Sequence, residues 1–319
     1  MNTITSIVVG IDFSQGSAAA LREAIRIAQW NRAAVHAVHV IDTLVAAELE
    51  EAMSAFQENV REGLIADAKQ AWNGFAATVA GATEVPIEVR IDNRIRGILA
   101  AAGDAKADLL VIGAYGNRPP EVGFGTAATS CVRHAMTKVL LVRDTQHGPF
   151  KAVVACVDFS PTSLLALDQA ARVATQDGAA LHVLHVFDAP WHQLHYRAPT
   201  PEADPHFQSQ YRAGLERRLN AFAGELGREI DYLKPTFALF DYQGHRSGIV
   251  EYATQVGADL LVLGTRGRTN LRDLLLGSSA ERALRESKCS VLAVKPEGFI
   301  HSLAAGPSDG AAVQSRPPG

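Results

Sequence analysis

Glycines at 264, 267 and 277, followed by Ser278, are the part of this chain best suited to chemistry. They stand in a Gly-x2-Gly-x9-Gly-Ser pattern between the apolar run Ala258–Leu263 and a helix-like stretch that begins at Ser279. A backbone N–H can approach an anion only where no β-carbon intervenes, and a helix N-terminus presents unpaired N–H groups carrying about half a positive elementary charge. A buried strand that opens through glycines into such an N-terminus has the outline of a phosphate cradle. Arg266 and Arg268 lie in the same loop, where guanidinium groups could reach phosphate oxygens.

The chain also repeats itself. Val8–Asp42 aligns without gaps on Val154–Asp188, which places Asp12 on Asp158, Ser14 on Ser160, His39 on His185 and Asp42 on Asp188. After a slip of a few residues Ala107–Gly113 falls on Ala258–Gly264, and after one more Val139–Val142 falls on Val291–Val294. Two copies of one unit, each of about 145 residues, account for nearly all of the 319 residues. We place a first domain at 1–146, with a degenerate glycine loop, and a second at 150–297, with the complete one. The stretch 301–319, rich in Ala, Gly, Pro and Ser, reads as a disordered tail.

The elements that must position these residues alternate in type. In the first copy Ile7–Ile11, Val35–Ile41, Ile87–Ile91, Leu109–Ile112 and Val139–Val142 read as strands. Ser17–Trp30, a long stretch from about Ala47 to Val79, Ile95–Ala102 and Ala127–Met136 read as helices. The second copy repeats the order, with strands at Val153–Val157, Leu181–Phe187, Leu233–Phe240, Leu260–Leu263 and Val291–Val294. Strands joined through helices of this length form parallel sheets, whose ligands sit beyond the carboxyl ends of the strands where the strand order reverses. Asp12 and Asp158, at the ends of first strands, would meet the glycine loops there.

Composition narrows the function. The content of 47% apolar and 20% charged residues is that of a globular protein, and a net charge of −4 without a basic stripe or tail argues against nucleic acid. No apolar run approaches the ~18 residues of a membrane span, and the start MNTITSIVVG lacks a signal-peptide pattern, so a cytoplasmic protein is expected. Cys131, Cys156 and Cys289 have no paired short spacing, which indicates neither a disulfide framework nor a zinc site. The pairs His36/His39 and His182/His185 face opposite sides of their strands and read as core or sheet-end histidines. His192, His195 and His206, in the Pro-rich segment Ala189–Pro205, lack a metal-ligand pattern. An apparent Gly-x-Gly-x-x-Ala at Gly123, Gly125 and Ala128 does not follow a strand directly, as a dinucleotide fingerprint must.

A strand ending in Asp-Phe-Ser (12–14, 158–160), a strand ending in His-Val (39–40, 185–186) and the final glycine loop together resemble the universal stress protein family, and the duplication resembles its tandem-domain members. Gly264–Val294 resembles the ATP-binding members over its full length, and the resemblance as a whole covers Ile7–Lys295. It implies an α/β fold of two tandem Rossmann-like (adenine nucleotide alpha hydrolase-like) domains, each a five-stranded parallel sheet ordered 3-2-1-4-5 and flanked by helices. It further implies binding of adenine nucleotide, ATP with or without Mg2+, and pairing of domains through their fifth strands. That pairing would give a pseudo-dimer within the chain, and leaves a homodimer of chains open. Carried over by position, Asp158 would hold the ribose or the adenosine end, Val157 would line the base pocket, and the backbone of Val186 would bond the adenine edge. Leu263 and Gly264 would flank the sugar, while Gly267, Gly277, Ser278 and Ser279 would meet the phosphates. The weaker counterpart in the first domain comprises Asp12, Val40, Gly113, Gly116, Gly125 and Thr126.

Two readings compete with ligation. Asp158 on its own could cap the helix starting near Pro161, and only its place opposite the glycine loop favours the nucleotide. The first copy departs from the pattern, with eight residues between Gly116 and Gly125 instead of nine; Pro119 and Pro120 remove N–H donors and Glu121 repels phosphate. The chain has no Gly-x4-Gly-Lys-(Ser/Thr) loop and no evident general base for a γ-phosphate, so catalysis is not required of it. The leading expectation is an ATP-binding regulatory or stress-response protein. A slow ATPase or phosphotransferase using the same pocket, and a nucleotide-free interaction module, are the alternatives.

Overall fold

The computed structural model describes residues 4–53, 59–116, 123–193, 205–242, 245–267, 277–296 and 298. The first half runs β1 (Ser6–Ile11), α1 (Gln15–Asn31), β2 (Ala34–Asp42), α2 (Thr43–Met53), α3 (Val60–Ala76), β3 (Ile87–Asp92), α4 (Arg94–Asp104), β4 (Leu109–Gly113), α5 (Thr126–His134) and β5 (Lys138–Val142). The second runs β6 (Ala152–Cys156), α6 (Pro161–Asp177), β7 (Ala180–Phe187), α7 (Pro205–Gly224), the single turn α8 (Arg228–Asp231), β8 (Thr236–Asp241), α9 (His245–Gln255), β9 (Leu260–Gly264), α10 (Ser278–Glu286) and β10 (Ser290–Val294). The predicted tail, 301–319, lies outside the described residues, as do His195, Arg268 and the stretch Pro119, Pro120 and Glu121.

Local chemistry sets the element ends. Ser14 caps α1 by accepting a hydrogen bond from Ser17 N at 3.1 Å. Ser160 and Ser163 form a reciprocal capping box on α6, with Pro161 supplying a preset φ at the first helical position. The predicted stretch 47–79 resolves into two described helices. Its first begins earlier than expected, because Asp42 Oδ1 accepts from Leu44 N at 3.0 Å and turns the chain straight from strand into helix. The predicted strand at 233 starts only at Thr236, since Lys234 sits at φ +45° and Pro235 has no N–H to donate. α5 stops at His134, two residues short of expectation, with Ala135 extended.

The strands form one ten-stranded sheet in the order β3-β2-β1-β4-β5-β10-β9-β6-β7-β8. Each half is a parallel 3-2-1-4-5 sheet, and the halves join through antiparallel pairing of β5 with β10, Leu141 opposite Val291 and Leu140 opposite Leu292. The two apolar fifth strands therefore cover each other's open edge, leaving β3 and β8 outermost. Strand alternation divides the core between the two faces of the sheet. Ile7, Val9, Leu140, Val153, Leu260 and Leu292 pack on the face of α1 and α6, whereas Val8, Leu141, Val154, Leu261 and Val291 pack on the other. Both clusters run through both halves without a break. No described helix is long and apolar enough to cross a membrane.

Candidate functional site

Because β5 and β10 run antiparallel, the carboxyl ends of the two halves' strands lie at opposite edges of the sheet. Each edge carries one Asp and one glycine loop. In the second half the chain leaves β6 through Val157 and Asp158 and reverses at Phe159, which holds φ +62°. A left-handed phenylalanine is uncommon and strained, and its surroundings hold it in place. Its ring lies 4.5 Å from that of His185 and meets Phe222 edge-on at 5.6 Å, with the Arg218 guanidinium stacked 4.0 Å from its centre. His185 in turn donates from Nδ1 to Val157 O at 2.8 Å, fixing the peptide just before the aspartate. The first half repeats the device with Phe13 at φ +60°, its ring 4.6 Å from His39, and His39 Nδ1 on Ile11 O at 2.9 Å.

This reversal gives the carboxylate two distinct oxygens. Asp158 Oδ1 accepts from Ser160 N at 3.0 Å and Ser160 Oγ at 2.5 Å, so Ser160 is the helix cap and Asp158 braces it. Oδ2 faces the glycine loop: a β-carbon built on Gly267 would stand 2.5 Å from it. Asp12 repeats both contacts, with Ser14 Oγ at 2.5 Å from Oδ1 and a built β-carbon on Gly116 at 2.5 Å from Oδ2. The capping alternative for Asp158 is thus corrected: the cap is the serine two residues on.

The loop closes on the N-terminus of α10. Gly277 holds the cap position and donates to Thr265 O at 2.9 Å, and a β-carbon there would lie 3.3 Å from Thr265 O and 4.0 Å from Gly267 N. Asp158, Gly267 and Gly277 are therefore brought together, with Ser278 and Ser279 opening the helix and Gly264 packed against Thr162 at the start of α6. Thr265 N donates to Val294 O at 2.9 Å, which ties the loop to β10. Val157 and Leu263 are buried and belong to the core clusters on opposite faces of the sheet. Val186 lies two residues past the last β6–β7 pair, Cys156 with Leu184, and Val40 one residue past the last β1–β2 pair, Ile11 with His39.

Lys295 follows β10 directly and was not anticipated from the sequence. It is 8% exposed, and Nζ donates to Val132 O of the first half's α5 at 2.6 Å. Burial, with the nearby Arg266 charge adding to it, pushes its ammonium down to about 8. Its counterpart Arg143 donates from Nη2 to Ser287 O at the end of α10 and stacks 4.4 Å from the Phe124 ring. Each half thus sets a cation on the C-terminal carbonyls of the other's last helix, where the helix dipole favours positive charge.

The two edges differ in detail. Tyr115 stands where the second loop has Arg266, and its hydroxyl donates to Asp144 at 2.6 Å. Gly16 replaces Thr162, and the loop backbone closes onto it: a β-carbon on Gly113 would stand 2.6 Å from Gly16 C. Gly125 caps α5, which Thr126 opens. Gly123, at φ +86°, abuts the carbonyls of Leu284 and Arg285 at the end of α10, so this loop serves the seam between the halves. The His pairs lie on opposite faces: His185 meets Phe159, and His182 bonds Tyr252 Oη at 3.0 Å. His192 pairs with Asp188 at 3.2 Å and Asp241 at 3.5 Å; no group of three or more His, Cys, Asp or Glu among the described residues is placed to hold a metal ion.

Known proteins resemble this chain in sequence and fold. A universal stress protein of Mycolicibacterium smegmatis is 27% identical over 307 residues, spanning 91% of this chain and 97% of its own length. Universal stress protein A homolog 1 of Coxiella burnetii is 32% identical over 151 residues, 46% of this chain and 96% of its own. The crystal structure of a universal stress protein from Archaeoglobus fulgidus superposes with a TM-score of 0.60 at 16% identity, covering 91% of this chain and 98% of that one, which shows the shared fold. The sequence profile of the universal stress protein family matches residues 3–143 and again 149–295, and the chain belongs to that family, with two of its domains in tandem.

Proposed function

We propose that the second half binds an adenine nucleotide, ATP with or without Mg2+, and that the protein acts as a nucleotide-dependent regulator in a stress response. The observation that carries this reading is the convergence of Asp158 Oδ2, the bare backbone of Gly267 and the N-terminus of α10 on one point at the carboxyl edge of the sheet. A carboxylate beside an electropositive helix end suits a ligand with hydroxyls at one end and phosphate at the other, as a nucleoside phosphate has. Family membership supports the same assignment. Arg266 adds a cation to the second loop, whereas the first has Tyr115 and the nearby Asp144, so we assign the tight site to the second half.

The test is to denature purified protein and identify the released nucleotide by mass, then to repeat this on Gly277→Val. The substitution places a β-carbon 3.3 Å from Thr265 O and adds branched carbons in the path proposed for the phosphate. Nucleotide in the wild type and none in a folded Gly277→Val is the expected result; equal loading of both would refute the assignment. Product accumulating from ATP over time would move the reading to the slow ATPase or phosphotransferase.

A further inference from the structure

Arg26 on α1 and Arg172 on α6 occupy equivalent positions on either side of the seam between the halves. Arg26 is fully engaged. Glu23 accepts from its Nε at 3.0 Å and Nη2 at 2.5 Å, and Asp177, from across the seam, accepts from Nη1 and from Nη2 at 2.9 Å. Asp177 also accepts from Phe150 N at 2.8 Å, and the Phe150 ring lies 5.6 Å from the guanidinium.

Around Arg172 each of these partners is replaced by a residue without its charge or bulk. Glu23 becomes Gln169, Asp177 becomes Asn31, and Phe150 becomes Ile4. Asn31 Nδ2 donates back to Ile27 O at 2.9 Å, and Gln169 Nε2 donates to Asp168 Oδ2 at 2.9 Å. Arg172 Nε shares that Asp168 oxygen at 2.9 Å, and the Arg172 side chain stays 31% exposed. A guanidinium fork fits a carboxylate closely.

A cavity of about 570 Å³ opens here between α1 and α6, floored by Leu109, Leu140, Leu260 and Leu292, with the half-exposed Trp30 at its rim. Its volume and mostly apolar lining are those of a small-molecule pocket. Its charged lining is Lys138, Arg172 and Asp168, two cations against one carboxylate. Asp108, which also acts on Lys138, lies outside it and accepts from Thr5 N and Ser6 N.

We propose that this seam cavity binds an apolar monocarboxylic acid, its carboxylate beside Arg172 and Lys138 and its body over the leucine floor. The site is distinct from the glycine loops and does not rest on nucleotide binding. Calorimetric titration of the full chain with octanoate and with naphthoate should give one saturable site for at least one of them. Octanol, with the same chain and no charge, should bind about ten- to a hundredfold more weakly than octanoate, the loss expected for one charge-assisted contact. Arg172→Gln should weaken acid binding by a similar factor. Asn31→Asp should supply the missing carboxylate from the protein itself, abolish acid binding and raise the melting temperature of the ligand-free chain. Failure of both acids to bind the wild type, binding of octanol as tight as octanoate, or acid binding unchanged in both variants would each overturn the proposal.

Discussion

Asp158 divides its work between two oxygens, and the division can be measured. Oδ1 braces the Ser160 cap of α6 and Oδ2 looks at Gly267, so Asp158→Ala should lose both the nucleotide and part of the cap, about 1 kcal/mol of stability. Asp158→Asn keeps an acceptor for Ser160 while exchanging the charged oxygen that faces Gly267 for a neutral amide donor, so its melting temperature should stay near wild type while affinity falls. Asp12→Ala should cost similar stability yet leave the tight site intact; loss of that site on changing Asp12 alone would mean the halves have been assigned the wrong way round. Lys295 gives a second test. Its folded-state pKa lies below its unfolded one, so the folded chain gives up this proton first, and stability should rise as pH climbs from about 8 toward the ordinary lysine value. Urea unfolding of wild type and Lys295→Met at both ends of that window should show the rise in the first and a flatter profile in the second.

Among the elements, the strands and the repeat were legible because burial on both faces of a parallel sheet writes continuous apolar runs such as Leu260–Leu263. The convergence of Asp158 on the glycine loop was legible too, since it follows from strand order alone. What positions the aspartate was not. Left-handed Phe13 and Phe159 carry no sequence signal, because the residues that enforce them, His39 with Phe75 and His185 with Phe222, come from other elements. Strand alternation put His39 and His185 on the correct kind of surface but could not reveal that each pins the peptide before its Asp. Gly123 was read only as part of a misleading glycine pattern, whereas its role is contact with the end of α10. Gly123→Ala combines an unfavourable positive φ with a collision against Arg285 O, so it should cost more than about 1 kcal/mol in chemical unfolding. A variant as stable as wild type would show that this loop does not bear on the seam.

For the molecule as a whole, the seam decides whether the halves are separable. β5 and β10 exchange their edge bonds, both core clusters cross the boundary, and Arg143 and Lys295 each cap the other half's last helix. Asp177 on Arg26 adds an ion pair whose carboxylate is fully buried, and breaking such a pair strands a charge at a cost of several kcal/mol. Cutting the chain between the proposed domains would therefore expose the apolar strand Val139–Val142 along an open edge, leave the last carbonyls of α5 without Lys295, and leave Arg26 without Asp177. We expect residues 1–146 produced alone to lose cooperative folding or to pair with a second copy through β5. Light scattering coupled to size exclusion, read beside a thermal melt, separates these outcomes. A monomeric fragment melting cooperatively near the full chain's temperature would mean that the seam is an accessory contact and that each domain carries its own stability.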